Sequence, residues 1–289
     1  MRYLTNLIVA AICCLSVLPC ANAQESVLDR NRRVLQEAIA NPNDQAKVEA
    51  FVASLQELPA GSGRYLVEGD IVVSREEIEP YLKDLKAPEA APGKFEELIV
   101  NVVGGRLDYL VTAEARKLTY MFDRASFPNQ QSFDFTKANF IKAAGEWANA
   151  CPECGVTFTE VTSNPYFTVR FDSAADGPIA RAFFPSSAPA LRQLVVFPAY
   201  IASDLDFDPA GVLRHEIGHI LGYRHEHIRN IPGCGREGTS WKSITPYTPN
   251  SVMHYFCGGK GSFDLALRPA DIKGHRCLYM TGRACPTRP

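Results

Sequence analysis

The chain has 289 residues, a formal net charge of −2, 46% hydrophobic and 21% charged residues. This is the composition of a folded globular protein with one large or two modest domains. Charge this close to neutral excludes a nucleic-acid partner or an anionic membrane surface held by bulk electrostatics.

Residues 1–23 read as a signal peptide. Arg2 is a short basic region, Leu4 to Pro19 is mostly apolar, and Ala21-Asn22-Ala23 is a small-x-small cleavage pattern, so the mature chain is expected to begin at Gln24. The apolar run is short for an anchor, and no stable membrane insertion is expected once it is removed. A lipoprotein reading through Cys20 is the alternative, weakened by Pro19 before it. The expected location is secreted or periplasmic.

Two helices are predicted within 24–57, broken at Asn41-Pro42-Asn43. Leu28, Val34, Leu35, Ala38 and Ile39 line one side of the first, and Val48, Phe51, Val52 and Leu55 one side of the second. Tyr65 to Val73 reads as strand–turn–strand around Gly69, and Ser74-Arg-Glu-Glu77 as a capping box opening a short helix. Lys86 to Lys94, with two prolines and a glycine, reads as a linker. The first segment is taken to end at residue 105.

From residue 106 strands and helices alternate. Strands are predicted at Leu118–Phe122, Val156–Val161, Phe167–Phe171 and Leu194–Phe197, with an edge strand at Ile179–Phe184. A helix is predicted over Phe135–Ala150 with Phe140, Ile141, Ala144 and Trp147 as its buried stripe. Asp208-Pro209 supplies an N-cap and an N1 proline for the next helix, with Leu213, Ile217, Ile220 and Leu221 inward. Pro269 opens a last helix, with Ile272 and Leu278 as core positions.

Beyond the signal segment six cysteines remain, an even number that favours disulfides in an exported chain. Six cysteines allow fifteen pairings. The preferred set is Cys151–Cys154, Cys234–Cys257 and Cys277–Cys285. Cys151-Pro-Glu-Cys154 also reads as a redox motif or half a zinc knuckle, although no second C-x-x-C accompanies it.

The segment His215-Glu-Ile-Gly-His-Ile-Leu-Gly-Tyr-Arg-His225 carries the chemistry. His215 and His219 lie one helical turn apart on one face. Glu216 is turned off that axis, towards where a metal-bound water would stand. Gly222 permits a sharp exit from the helix, which can return His225 as a third ligand. Three imidazoles with a fourth position open to water mark a catalytic rather than a structural Zn2+ site. His227, His254 and His275 are not read as ligands, and His275 is placed at the surface or in an outer shell.

Downstream stands Ser251-Val-Met-His-Tyr255. With the long histidine motif it resembles the metzincin clan of zinc endopeptidases, and with Glu226 after the third histidine and Arg229 it looks most like the astacin family. The last helix also looks like the closing helix of matrixin-like metzincins. The resemblance covers about the C-terminal two thirds of the chain. It implies an α+β, metzincin-like zincin fold: a twisted, mostly parallel sheet with an active-site helix, a smaller irregular C-terminal subdomain, and a helical pro-segment before them. Residues 24–105 would be the pro-segment and 106–289 the zinc metallopeptidase domain.

The resemblance further implies His215, His219 and His225 as zinc ligands and Glu216 as general base. Met253 would be the floor under the metal. Tyr255 would be a fifth ligand that swings to stabilise the oxyanion, and Glu226 the contact for a new N-terminus. Val67-Glu-Gly-Asp-Ile71 resembles the F-E-G-D-I stretch of astacin propeptides, with Val in place of Phe, which makes Asp70 the zymogen ligand. An ordinary Glu-Gly-Asp turn and a plain solvent-facing Glu226 are the competing readings. The expected partners are a protein or peptide substrate and an activating protease, for which Arg116 or Lys117 would suit a trypsin-like enzyme. Two other functions are carried: an inactive protease-fold binding or adhesion protein, and a zinc hydrolase of non-protein amides.

Overall fold

A computed structural model describes residues 27–58, 60–67, 69–86, 98–174, 177–228, 231, 234 and 241–285. The signal segment with Cys20, the linker after Lys86, Glu68 and Arg229 lie outside the described residues.

The N-terminal unit runs α1 (Val27–Ala40), α2 (Gln45–Val52), β1 (Arg64–Val67), β2 (Ile71–Ser74) and α3 (Ile78–Lys86). Asp44 caps α2 by accepting from the Ala46 and Lys47 N–H groups. The β1–β2 hairpin is antiparallel and turns at Gly69, whose φ of +91° is a conformation glycine adopts without strain. Glu77 reaches back to the Ser74 N–H at 2.6 Å, the reciprocal half of the expected capping box. Ala38, Val48, Phe51, Val52, Ile78 and Leu82 form a core drawn entirely from this unit.

The main body contains β3 (Ile99–Val103), β4 (Arg106–Leu107), β5 (Lys117–Phe122), α4 (Gln130–Ala150), β6 (Thr157–Glu160), β7 (Phe167–Phe171), β8 (Ala180–Arg181), β9 (Gln193–Val196), α5 (Pro209–Ile220), β10 (Tyr223–Arg224), β11 (Trp241–Ser243) and α6 (Pro269–Thr281). A five-stranded sheet has the order β6-β5-β7-β9-β8, parallel except for β8 at its edge. Parallel strands buried by helices suit the short apolar runs in which they are written. One face of the sheet packs on α4 and α5: Tyr120, Phe122, Phe167 and Val169 meet Phe140, Trp147, Leu213 and Ile217 in a single core. A smaller antiparallel sheet sets β3 between β10 and β11, with β4 added to β3.

Several expectations are corrected. In α4, Ile141 is 49% exposed and Ala143 takes its place inside, because the buried stripe turns with the helix and the helix begins earlier, on Asn129. Asp208 makes no side-chain cap on α5; its carboxylate stands 3.6 Å from Arg214 instead. His275 is fully buried rather than superficial, with its Nδ1 2.8 Å from the Tyr223 hydroxyl oxygen. Residues 99–103, placed by sequence in the first segment, form β3, and Leu98 and Val100 belong to the main core. A run of isoleucine and valine shows that it will be buried but not which core it will join.

The Arg116 guanidinium donates to the carbonyls of Leu110, Val111 and Cys154 at 3.0–3.1 Å. A cut between Arg116 and Lys117 would open the start of β5, which lies inside the sheet. The preferred cysteine pairings form at Cys151–Cys154, Cys234–Cys257 and Cys277–Cys285. No described helix is long and apolar enough to cross a membrane.

Candidate metal centre

Helix α5 is buried along its whole length, anchored by Leu213, Ile217 and Ile220. This fixes His215 and His219 on one face. The Nδ1 of His215 lies 2.8 Å from the Val252 carbonyl, and that of His219 lies 2.7 Å from the Tyr223 carbonyl. A carbonyl can only accept, so each Nδ1 carries its hydrogen and each Nε2 presents a lone pair.

Gly222 ends the helix at φ +98°, and a Cβ there would stand 2.1 Å from the Asp108 carbonyl oxygen. No other residue type satisfies both demands. The chain then enters β10, whose pairing with β3 sets Tyr223 opposite Val100 and Arg224 opposite Ile99. His225 follows, with its Nε2 3.1 Å from that of His219 and 3.2 Å from that of His215. Tetrahedral nitrogen ligands about 2.0–2.1 Å from zinc stand about 3.3 Å apart, so the spacing fits. Converging lone pairs repel one another unless a cation stands between them.

The fourth corner is Asp70, at the tip of the β1–β2 hairpin. Its Oδ2 lies 3.0 Å from the Nε2 of His225, 3.4 Å from that of His215 and 3.6 Å from that of His219. These four residues form a buried group able to hold a metal ion. Three imidazoles and a carboxylate oxygen are the donor set of Zn2+. The Tyr255 hydroxyl donates to the same Asp70 oxygen at 2.5 Å. Gly69 permits this approach, since a Cβ there would stand 2.9 Å from that hydroxyl. Burial works against the charge on Asp70, but the imidazoles of His225 and His219 outweigh it and hold the carboxyl well below its usual range.

Glu216 is buried beside this group. Burial first, and then repulsion from Asp70, raise its pKa well above the usual carboxylate value. Its Oε2 has no hydrogen-bond partner. Burial also lowers the pKa of His219 to about 4, against the pull of Asp70, which favours the neutral, metal-binding form.

Met253 lies under the histidines, fully buried. A Cβ at Gly218 would stand 2.3 Å from its sulfur, so the glycine between the two helical histidines makes room for this side chain. The Glu226 N–H donates to the Met253 carbonyl at 2.8 Å, tying the turn to the third histidine. Glu226 itself is buried, not solvent-facing. Asp271 of α6 holds the turn from behind, accepting from the Ser251 hydroxyl at 2.6 Å and the Val252 N–H at 3.1 Å. A cavity of about 250 Å³ opens beside His215 and Glu216, walled by Ile179, Phe207, Val212, Phe256 and Leu265.

Sequence reasoning overlooked Gly218 and Asp271. Gly218 had a signal, a glycine in the middle of a helix with no turn to make, whereas Asp271 looked like an ordinary first-turn acid. His227 and His254 stay outside the four-residue group. They approach Cys257, which is committed to its disulfide with Cys234.

No protein-family model matches the chain, and no curated protein sequence does. Among solved structures it is similar to myroilysin, at 17% identity and a TM-score of 0.43 over 63% of this chain and 98% of that one. It is also similar to high choriolytic enzyme 1, a hatching enzyme zinc-protease from Oryzias latipes (medaka fish). That likeness has 16% identity and a TM-score of 0.35 over 56% of this chain and 88% of that one. Likeness at this level decides neither fold nor activity, which rest on the chain's own residues.

Proposed function

We propose that the chain is an exported zinc endopeptidase of metzincin-like type, made as a latent zymogen. The observation that carries this reading is the convergence of three Nε2 atoms on one point, with Asp70 as the fourth donor and Glu216 alongside. His215, His219 and His225 are the permanent ligands. Asp70 occupies the position a substrate water needs, and Met253 is the floor. Bound there, Zn2+ supplies a Lewis acid that makes water nucleophilic near neutral pH.

The chain's own residues do the rest. Once Asp70 leaves, Glu216 loses a repelling charge and can take a proton from water, then pass it to the departing amine. The Tyr255 hydroxyl, released from Asp70, becomes a donor for the oxygen of the attacked carbonyl. The signal-like N-terminus and three disulfides support export.

We place the end of the pro-segment before Leu98 rather than at residue 105, because β3 is built into the main body. The activating cut then falls between Lys86 and Leu98. Ile99 pairs with Arg224, two residues before Glu226 in the chain, and this supports reading that buried carboxylate as a contact for the new N-terminus. The test is hydrolysis of an unfolded protein by the processed chain. Activity should vanish on chelation, return with Zn2+, and be absent from Glu216→Ala protein that still binds one zinc per chain. Full activity in that variant would contradict the mechanism.

A further inference from the structure

We propose that Arg181 and Arg170 form a carboxylate-binding site on the outer face of the five-stranded sheet, covered by the N-terminal unit in the latent protein and open to an acidic, partly apolar peptide segment after processing. The inference rests on the reading of residues 27–86 as a removable pro-segment.

Register places the site. Val195 of β9 pairs with Arg170 of β7 on one side and Arg181 of β8 on the other. Directly paired residues share a face, so the three side chains form one row. Val195 clusters with Phe197 and with Leu58 of the N-terminal unit, and Leu66 and Ala174 pack against them. The alternate residues Val169, Ala180, Ala182, Leu194 and Val196 belong to the main core on the opposite face. The row therefore faces the N-terminal unit.

The charges in this row are poorly answered. Arg181 is only 2% exposed, although it sits on an edge strand. Its Nε has no hydrogen-bond partner, and neither does that of Arg170. Asp172 attracts Arg181 through space, but one of its oxygens accepts the Ala174 N–H at 3.1 Å. The covering hairpin brings another cation, Arg64, which donates to the Ala190 carbonyl at 3.0 Å. Burial, with Arg64 and Arg170 adding to it and Asp172 and, more weakly, Glu216 opposing, lowers the pKa of Arg181 to about 10. A buried guanidinium nitrogen without a hydrogen-bond partner is costly, and the group's best-matched partner is a carboxylate held through paired N–H donors.

The position links this face to the reaction. Ile71 of the hairpin bridges Ala182 in parallel, and Ala180 lines the cavity with Glu216. A peptide lying along the β8 edge in place of the hairpin would direct alternate side chains to the cavity and to the outer face. On the outer face it meets Arg181, with Val195 and Phe197 for apolar neighbours.

The test is fluorescence anisotropy of a labelled peptide carrying two glutamates among leucines, compared with its glutamine counterpart. It uses Glu216→Ala protein freed of residues 27–86, so no turnover is needed. The acidic peptide should bind about tenfold more tightly, the scale of one charge-assisted pair. Arg181→Gln should abolish that advantage without changing affinity for the glutamine peptide, Arg181→Lys should retain part of it, and uncut protein should show none. Equal affinities in the unsubstituted background, or an advantage that survives both Arg181→Gln and Arg170→Gln, would overturn the proposal. Failure of the processed protein with Glu216 intact to cleave an unfolded substrate, with the binding difference present, would instead count against the peptidase reading.

Discussion

At the scale of the residue, one contact organises the molecule: Asp70 Oδ2 against three Nε2 atoms and the Tyr255 hydroxyl. Its ingredients were legible separately, as a histidine motif and a short Glu-Gly-Asp turn, but sequence does not bring positions 145 or more residues apart into contact. Gly218 was harder to read, since its role depends on the Met253 sulfur 2.3 Å from where a Cβ would stand. Gly218→Ala is expected to displace that floor and cost about 1–3 kcal/mol, as overpacking of a close-packed core does, with a matching fall in midpoint by denaturant titration. A variant as stable as the parent would show that the floor adapts freely.

His275 gives a pH test at the same scale. Burial lowers its folded pKa to about 3, against about 6.5 for an unfolded histidine. Above pH 6.5 both states are neutral there and the residue adds no pH dependence. Between pH 6.5 and 3 the unfolded chain takes up a proton that the folded chain refuses, so stability falls as pH falls, by about 1.4 kcal/mol per unit at most. In His275→Gln the loss of thermal stability between pH 7 and 4 should be smaller by that contribution. An unchanged slope would mean that this histidine titrates normally.

At the scale of the element, the sequence was most informative where apolar spacing is long and regular. The N-terminal helices, the hairpin around Gly69, α4 and α5 stand close to where their periodicity put them. It was least informative where burial depends on partners from elsewhere in the chain. Strand β3 is a short apolar run whose neighbours, β10 and β11, lie more than a hundred residues away. Asp208 has the type and place of an N-cap, yet Arg214 draws its carboxylate away. Asp271 shows the reverse case: an acid in the first turn of α6 becomes the anchor of Ser251 and Val252. Asp271→Ala should leave those donors without their acceptor, costing about 1–3 kcal/mol and weakening zinc retention against a chelator. Retention equal to the parent would show that the turn holds without α6.

At the scale of the whole molecule, residues 27–86 own a separate core, and among the described residues they meet the body through Asp70 at the metal centre, Ile71 on Ala182, Arg64 on the Ala190 carbonyl, and Leu58 with Leu66 on Val195 and Phe197. A division before Leu98 leaves both main sheets complete, whereas one at Arg116–Lys117 cuts into β5. N-terminal sequencing of processed protein should therefore find a start between residues 87 and 98. A start at Lys117 would contradict the assignment of β3 to the enzyme.

The central claim is that Asp70, by holding the fourth position at the histidine centre, keeps the uncut chain silent. The most direct measurement is hydrolysis of a short fluorogenic peptide by uncut, zinc-loaded Asp70→Ala protein beside the uncut parent. The account predicts at least about tenfold more activity in the variant, in line with loss of a charge-assisted ligand contact, and none when Glu216→Ala is added. An uncut Asp70→Ala protein as silent as the parent, with its zinc in place, would contradict it.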